Sequence, residues 1–174
     1  TIIKVEWNKR TGTINGNNVF NIFMKNTSST SLTTGTSWGT RVTGATNVYA
    51  SNTQAFISTG WVPFTLDAPF EYTGGNLMIM TDHEKIGTAS GSNPFYYTSA
   101  SGKAIGFASS SAPNNSTTLS SSSYGNNRPN IRITWLPPCP AKVTTQPANT
   151  SVCADDDAQM QVTADSTQAY RWQH

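Results

Sequence analysis

Ile3-Lys4-Val5-Glu6-Trp7 sets apolar side chains at 3, 5 and 7 against charged ones at 4 and 6. Successive side chains of a strand leave on opposite faces, so the pattern is that of a strand with one buried and one wet face. The same beat returns in Phe20-Asn21-Ile22-Phe23-Met24-Lys25, where Phe20, Ile22 and Met24 share a face. It returns again in Ile131-Arg132-Ile133-Thr134-Trp135. Half-buried strands of this kind build antiparallel sheets. Residues 47–50, 61–66, 95–98 and 104–107 are further strand candidates, at the spacing of a β-sandwich or jelly roll. The expected core is Ile3, Val5, Trp7, Phe64, Leu66, Ile131, Ile133 and Trp135.

The segments between these runs have turn chemistry. Gly12-Thr13-Ile14-Asn15-Gly16-Asn17-Asn18 and Tyr72-Thr73-Gly74-Gly75-Asn76 carry residues that tolerate positive φ, and both read as hairpin turns. Pro63 removes a ladder donor, which places its strand at a sheet edge or a bulge. Residues 109–127 are low in complexity and read as one long surface loop. Strong helix formers are sparse, and almost no helix is expected.

Composition narrows the partners. Charged residues make up 11% of the 174, so Ser, Thr and Asn supply most of the polarity, and the 10% aromatic content argues against disorder. The net charge of +2 is carried by scattered residues, without the basic cluster that tracks a phosphate backbone, which speaks against nucleic acid. No run approaches the ~20 apolar residues of a membrane span. The chain opens directly on a strand and reads as a window of something longer.

At Leu136-Pro137-Pro138-Cys139-Pro140 the composition changes to a stretch that cannot continue a central strand. The division expected is a β-sandwich module over 1–136, a Pro-rich linker over 137–141 and a second domain opening over 142–174, too short to hold a core by itself. Cys139 follows a Pro-Pro pair and Cys153 sits near a strand; the reading is against their pairing, with partners for each outside these residues.

Several constellations bear on chemistry. Gly35-Thr36-Ser37-Trp38-Gly39 matches the G-x-S-x-G elbow, but that chemistry needs an apolar strand before the serine and a helix after it, and neither is expected here. Asp82-His83-Glu84 puts two carboxylates on one face of a strand end, an arrangement whose oxygens suit Ca²⁺; Asp155-Asp156-Asp157 offers the same donors through Asp155 and Asp157. A solvated strand end and a charged turn are the plainer readings of the two, and no cofactor is expected. Of five tryptophans, Trp7, Trp61 and Trp135 fall in step with apolar neighbours and read as core. Trp38, Tyr96, Tyr97 and Tyr124 lie in or near loops, where an aromatic ring can stack on a sugar, and are the candidates for a ligand. No nucleophile, base and oxyanion set converges, so no catalytic residue is assigned and the chain is read as non-enzymatic.

The stretch Ile22-Phe23-Met24-Lys25-Asn26-Thr27, then Thr34-Gly35-Thr36-Ser37-Trp38, Gly60-Trp61-Val62-Pro63-Phe64-Thr65-Leu66 with Pro69-Phe70, Asn76-Leu77 and Arg128-Pro129-Asn130-Ile131-Arg132 resembles a β-sandwich module of large secreted proteins from the Bacteroidetes. The resemblance covers most of 1–136, and it implies an opening segment upstream of Thr1. Pro63 and the short turn at Gly74-Gly75 depart from the pattern. Thr144-Thr145-Gln146-Pro147, Ser151-Val152-Cys153 and Tyr170-Arg171-Trp172-Gln173 resemble the first strands of the Ig-like repeats that follow this module. That likeness implies a buried Trp172 and a bond from Cys153 to a later cysteine. It further implies export by the type IX system, an extracellular or cell-surface location, and a structural or adhesive role in a surface or filament protein. Its partners would be other domains of the same chain, neighbouring subunits or surface glycans. The alternative it implies is a carbohydrate-binding accessory domain of a secreted hydrolase.

Overall fold

The computed structural model describes residues 1–12, 14–85, 94–106 and 126–137, and beyond them 142–145, 148, 151–155, 157 and 163–165. The chain divides into two units, Thr1–Leu136 and Pro137–His174. The first is all-β and antiparallel. Strands β1 (Ile2–Lys9), β4 (Gly60–Phe70) and β8 (Ile131–Trp135) form one sheet in the order β4-β1-β8. Strands β2 (Ile14–Thr27), β3 (Thr46–Phe56) and β5 (Asn76–Lys85) form the other in the order β3-β2-β5. In the second unit, β9 (Lys142–Thr145) pairs antiparallel with β10 (Thr163–Asp165). The expectations for Trp172 and Cys139 lie outside the described residues, and the Cys153 thiol is exposed and free.

The core lies between the two three-stranded sheets. Val5 faces it from β1, Phe20, Ile22 and Met24 from β2, Val48 and Phe56 from β3, and Val62, Phe64, Leu66 and Phe70 from β4. Phe20 and Phe64 are its hub, with ring centroids 5.1 Å apart; Phe56 meets Phe20 at 5.2 Å and Tyr49 meets Phe64 at 5.5 Å, both edge-on. Such offset and edge-on contacts suit the aromatic quadrupole better than face-to-face stacking.

The inward phase of β1 differs from the simple alternation. An irregularity between Ile2 and Lys4 shifts the register on both sides of the strand, so Ile2 is buried and Ile3 is only partly covered. A bulge of this type resets which residues face inward. Trp7 packs against the core while keeping some exposure. Ile133 and Trp135, expected inside, are 40% and 64% exposed. They keep the inward phase, opposite Val5 and Ile2, but β8 is an edge strand and the opposing sheet does not cover its end. Trp61, expected in the core, lies outside it. It belongs to the outward phase of β4, half-buried beneath the Arg132 guanidinium, whose carbon stands 3.9 Å from the ring centroid.

The two expected hairpins are sheet-to-sheet crossings. β1 and β2 follow one another in the chain but lie in different sheets, and residues 71–75 carry the chain from β4 to β5 across the same divide. Gly74 and Gly75 have φ of 98° and 77°, a backbone that favours glycine. Pro63 and Pro69 lie on β4, an edge strand as a missing donor requires. On the neighbouring edge, the Ala50 N–H donates to Asp67 Oδ2 at 2.8 Å, so a carboxylate from β4 occupies a donor that β3 would otherwise present.

A short two-stranded ribbon, β6 (Tyr97–Ser99) with β7 (Asn127–Pro129), enters where β8 leaves β1. At this junction the Asn8 N–H donates to Asn130 O, the Tyr96 N–H to Asn8 O and the Asn130 N–H to Tyr96 O, closing a ring of three backbone bonds. Of the expected strand over 104–107, only an isolated bridge at Gly106 falls among the described residues. The long loop over 109–127 lies mostly outside them, and its end, from Asn127, is strand β7.

Candidate functional site

Contrary to expectation, a helix follows Ser37. α1 (Trp38–Val42) is five residues long, with Ser37 as its N-cap, and the Ser37 Oγ accepts the Thr40 N–H at 3.3 Å and lies 2.9 Å from Thr40 Oγ1. The hydroxyl that matched a nucleophile satisfies an orphan helix donor. Trp38 stands edge-on to Phe23, 6.0 Å between centroids, so it anchors α1 to the outer face of β2. Behind it, Arg41 Nη2 donates to Thr33 O at 2.5 Å and reaches the Thr33 and Thr36 hydroxyls at 3.3 Å each, tying down the loop before the helix.

The alternation of β5 separates the Asp82-His83-Glu84 triplet. Asp82 and Glu84 sit on one face, across from Asn21 and Val19, while His83 sits on the other, opposite Phe20. The His83 ring meets Phe56 at 5.1 Å and Phe20 at 6.0 Å. Loss of hydration there pulls its pKa below the ordinary 6.5, Lys85 lowers it further, and Asp82 opposes both. Asp155 is exposed with φ of 75°, Asp157 is exposed, and Asp156 lies outside the described residues. Among the described residues, no group of three or more His, Cys, Asp or Glu is gathered closely enough to hold a metal ion.

Tyr96 and Tyr97 are 48% and 57% exposed. As neighbours in an extended segment they point to opposite sides, so they do not make one stacking platform. Beside them Thr98 Oγ1 donates to Asn130 Oδ1 at 2.9 Å. Tyr124 lies outside the described residues.

A groove of about 510 Å³ opens at the end of the sandwich where β2 finishes, β3 begins and β4 runs out. Lys25 and Asn26, Gly44 and Thr46, Pro69, Phe70, Glu71 and Thr73 line it. Lys25 Nζ donates to Arg41 O at 2.7 Å and Thr43 O at 3.1 Å, capping the carbonyl end of α1 with a cation. Asn26 clasps the opposite wall: its Nδ2 donates to Glu71 O at 3.0 Å and its Oδ1 accepts the Thr73 N–H at 3.2 Å. One wall is therefore fixed by a lysine under a helix end, the other by an amide bridging two backbone groups.

The chain matches no family model, no curated protein and no solved structure.

Lys25, Asn26, Glu71 and Thr73 carry no sequence motif, and Glu71 lies 46 positions from Lys25. Their only signal in the sequence is the end of a strand pattern beside a polar turn, which is common to most loops. Sheet crossing alone brings them together.

Proposed function

We propose that the chain is a non-catalytic structural and adhesive module of a large extracellular bacterial surface or filament protein, of the type IX-exported kind that its sequence resembles. The observation that carries this reading is the apolar end of β8. Ile133 and Trp135, on the same face of β8, are 40% and 64% exposed close to Pro137, where the second unit begins. Large apolar side chains placed together on a surface mark a contact with another polypeptide. Here the partner would be a neighbouring domain or subunit. The capping role of Ser37 and the packing of His83 on Phe20 and Phe56 support the non-catalytic part.

The test is association of the 174-residue chain, followed by light scattering over a concentration series, beside adhesion of beads coated with it. Trp135→Ser should weaken association. Turnover of a hydrolase substrate that disappears on Ser37→Ala or His83→Ala would overturn the reading.

A second reading, a carbohydrate-binding accessory domain of a secreted hydrolase, is favoured by the groove. Its lining pairs a donor, an acceptor and hydroxyls with the exposed, apolar Pro69. That mixture is what a sugar ring presents in reverse.

A further inference from the structure

We propose that the groove between Lys25 and Glu71 binds one saccharide unit of a neutral glycan, held through a pair of neighbouring hydroxyls; this rests on the carbohydrate-binding reading above.

The donor inventory selects the ligand. An ammonium has three N–H donors and no acceptor. Two of those of Lys25 are taken by Arg41 O and Thr43 O, which fix the position of Nζ and leave one donor for a ligand oxygen. Glu71, lining the same groove, is acceptor-only when ionised. A ligand that answers both must accept at one atom and donate at another. Neighbouring sugar hydroxyls do so without bringing a charge into the site. Thr46 and Thr73 add hydroxyls that adapt to either polarity, and the exposed Pro69 offers apolar surface to the C–H side of a ring.

Charge disfavours the other ligands. The lining holds one cation and one anion, so it carries no excess to draw a phosphate or a carboxylate alone. The volume of about 510 Å³ lies within the usual range for small-molecule sites, roughly 300–1,000 Å³. The walls are also set in advance: the bonds that hold them run between Lys25 and the end of α1, and between Asn26 and residues 71 and 73. A preformed site loses less affinity to ordering.

The experiment screens the 174-residue chain on an array of neutral oligosaccharides, with free glycine as a zwitterionic competitor, and repeats the best array sugar in solution by calorimetry. Glu71→Gln is the primary variant because the side chain is exposed and holds no element in place; Thr46→Ala is the second. The expected result is binding of at least one array sugar, weakened tenfold or more by Glu71→Gln with the unfolding midpoint unchanged. If a sugar binds equally well to wild type and Glu71→Gln, and binding is lost on Tyr96→Ala or Tyr97→Ala, the groove assignment fails while the carbohydrate reading survives. Binding of no array sugar overturns both. Competition by glycine at equal concentration overturns the saccharide assignment and leaves the groove a site for an amino acid.

Discussion

Trp38 meets Phe23 edge to face with 6.0 Å between ring centroids, across the boundary between a five-residue helix and the outer face of a strand. So short a helix has no stability of its own. It persists because Ser37 caps one end, Lys25 takes carbonyls at the other and Trp38 is seated on Phe23. Trp38→Ala should therefore lower stability by about 1–2 kcal/mol. Urea denaturation reads this directly, and a stability equal to wild type would show that the indole anchors nothing.

Alternation makes Trp135 and Phe64 equal candidates for the core, and the fold treats them oppositely. Phe64 is 2% exposed and Trp135 is 64% exposed. Phe64→Ala should cost about 3–5 kcal/mol, the range for large-to-small changes in a packed core. Trp135→Ser should stay within about 0.5 kcal/mol, as for surface sites. Equal losses in paired denaturation curves would contradict the placement of β8 at an open edge.

Lys9 is fully buried, and its Nζ donates to Gly12 O. Loss of hydration lowers its pKa below the ordinary 10.5. Between the folded value and 10.5 the unfolded chain binds more protons than the folded one, so stability rises with pH across that window. Denaturation midpoints measured as pH rises toward 10.5 should climb in the wild type, and the part of the slope due to this group should vanish in Lys9→Met. A slope identical in the two proteins would remove the burial argument.

His83 should titrate below 6.5, because its ring packs against Phe56 and Phe20 and stands near Lys85. With the folded pKa depressed, the unfolded chain takes up the proton first as pH falls, so this group withdraws stability on the acid side of 6.5. An imidazole resonance followed by NMR gives the midpoint, and a value above 6.5 would mean that Asp82 dominates instead.

Period-two alternation determined the antiparallel strands over 20–24, 61–66 and 131–135, because the requirement that one face be dry is written into every second residue. The prohibition on a proline donor likewise confined Pro63 to an edge or a bulge without reference to any partner, and strand order made it an edge. Alternation names two faces and cannot say which strand lies at the margin. The exposure of Trp135 and the half-burial of Trp61 were settled by strand order. Nor does it register a bulge, which put Ile2 rather than Ile3 inside. The groove depended on tertiary structure altogether. Lys25, Thr46 and Glu71 come from the end of one strand, the start of a second and the turn after a third. The first two meet through the pairing of β2 with β3, and Glu71 reaches them because the chain changes sheets between β3 and β4 and again between β4 and β5. Local pattern fixes what each residue prefers to face; the long-range pairing of strands decides what is there to be faced.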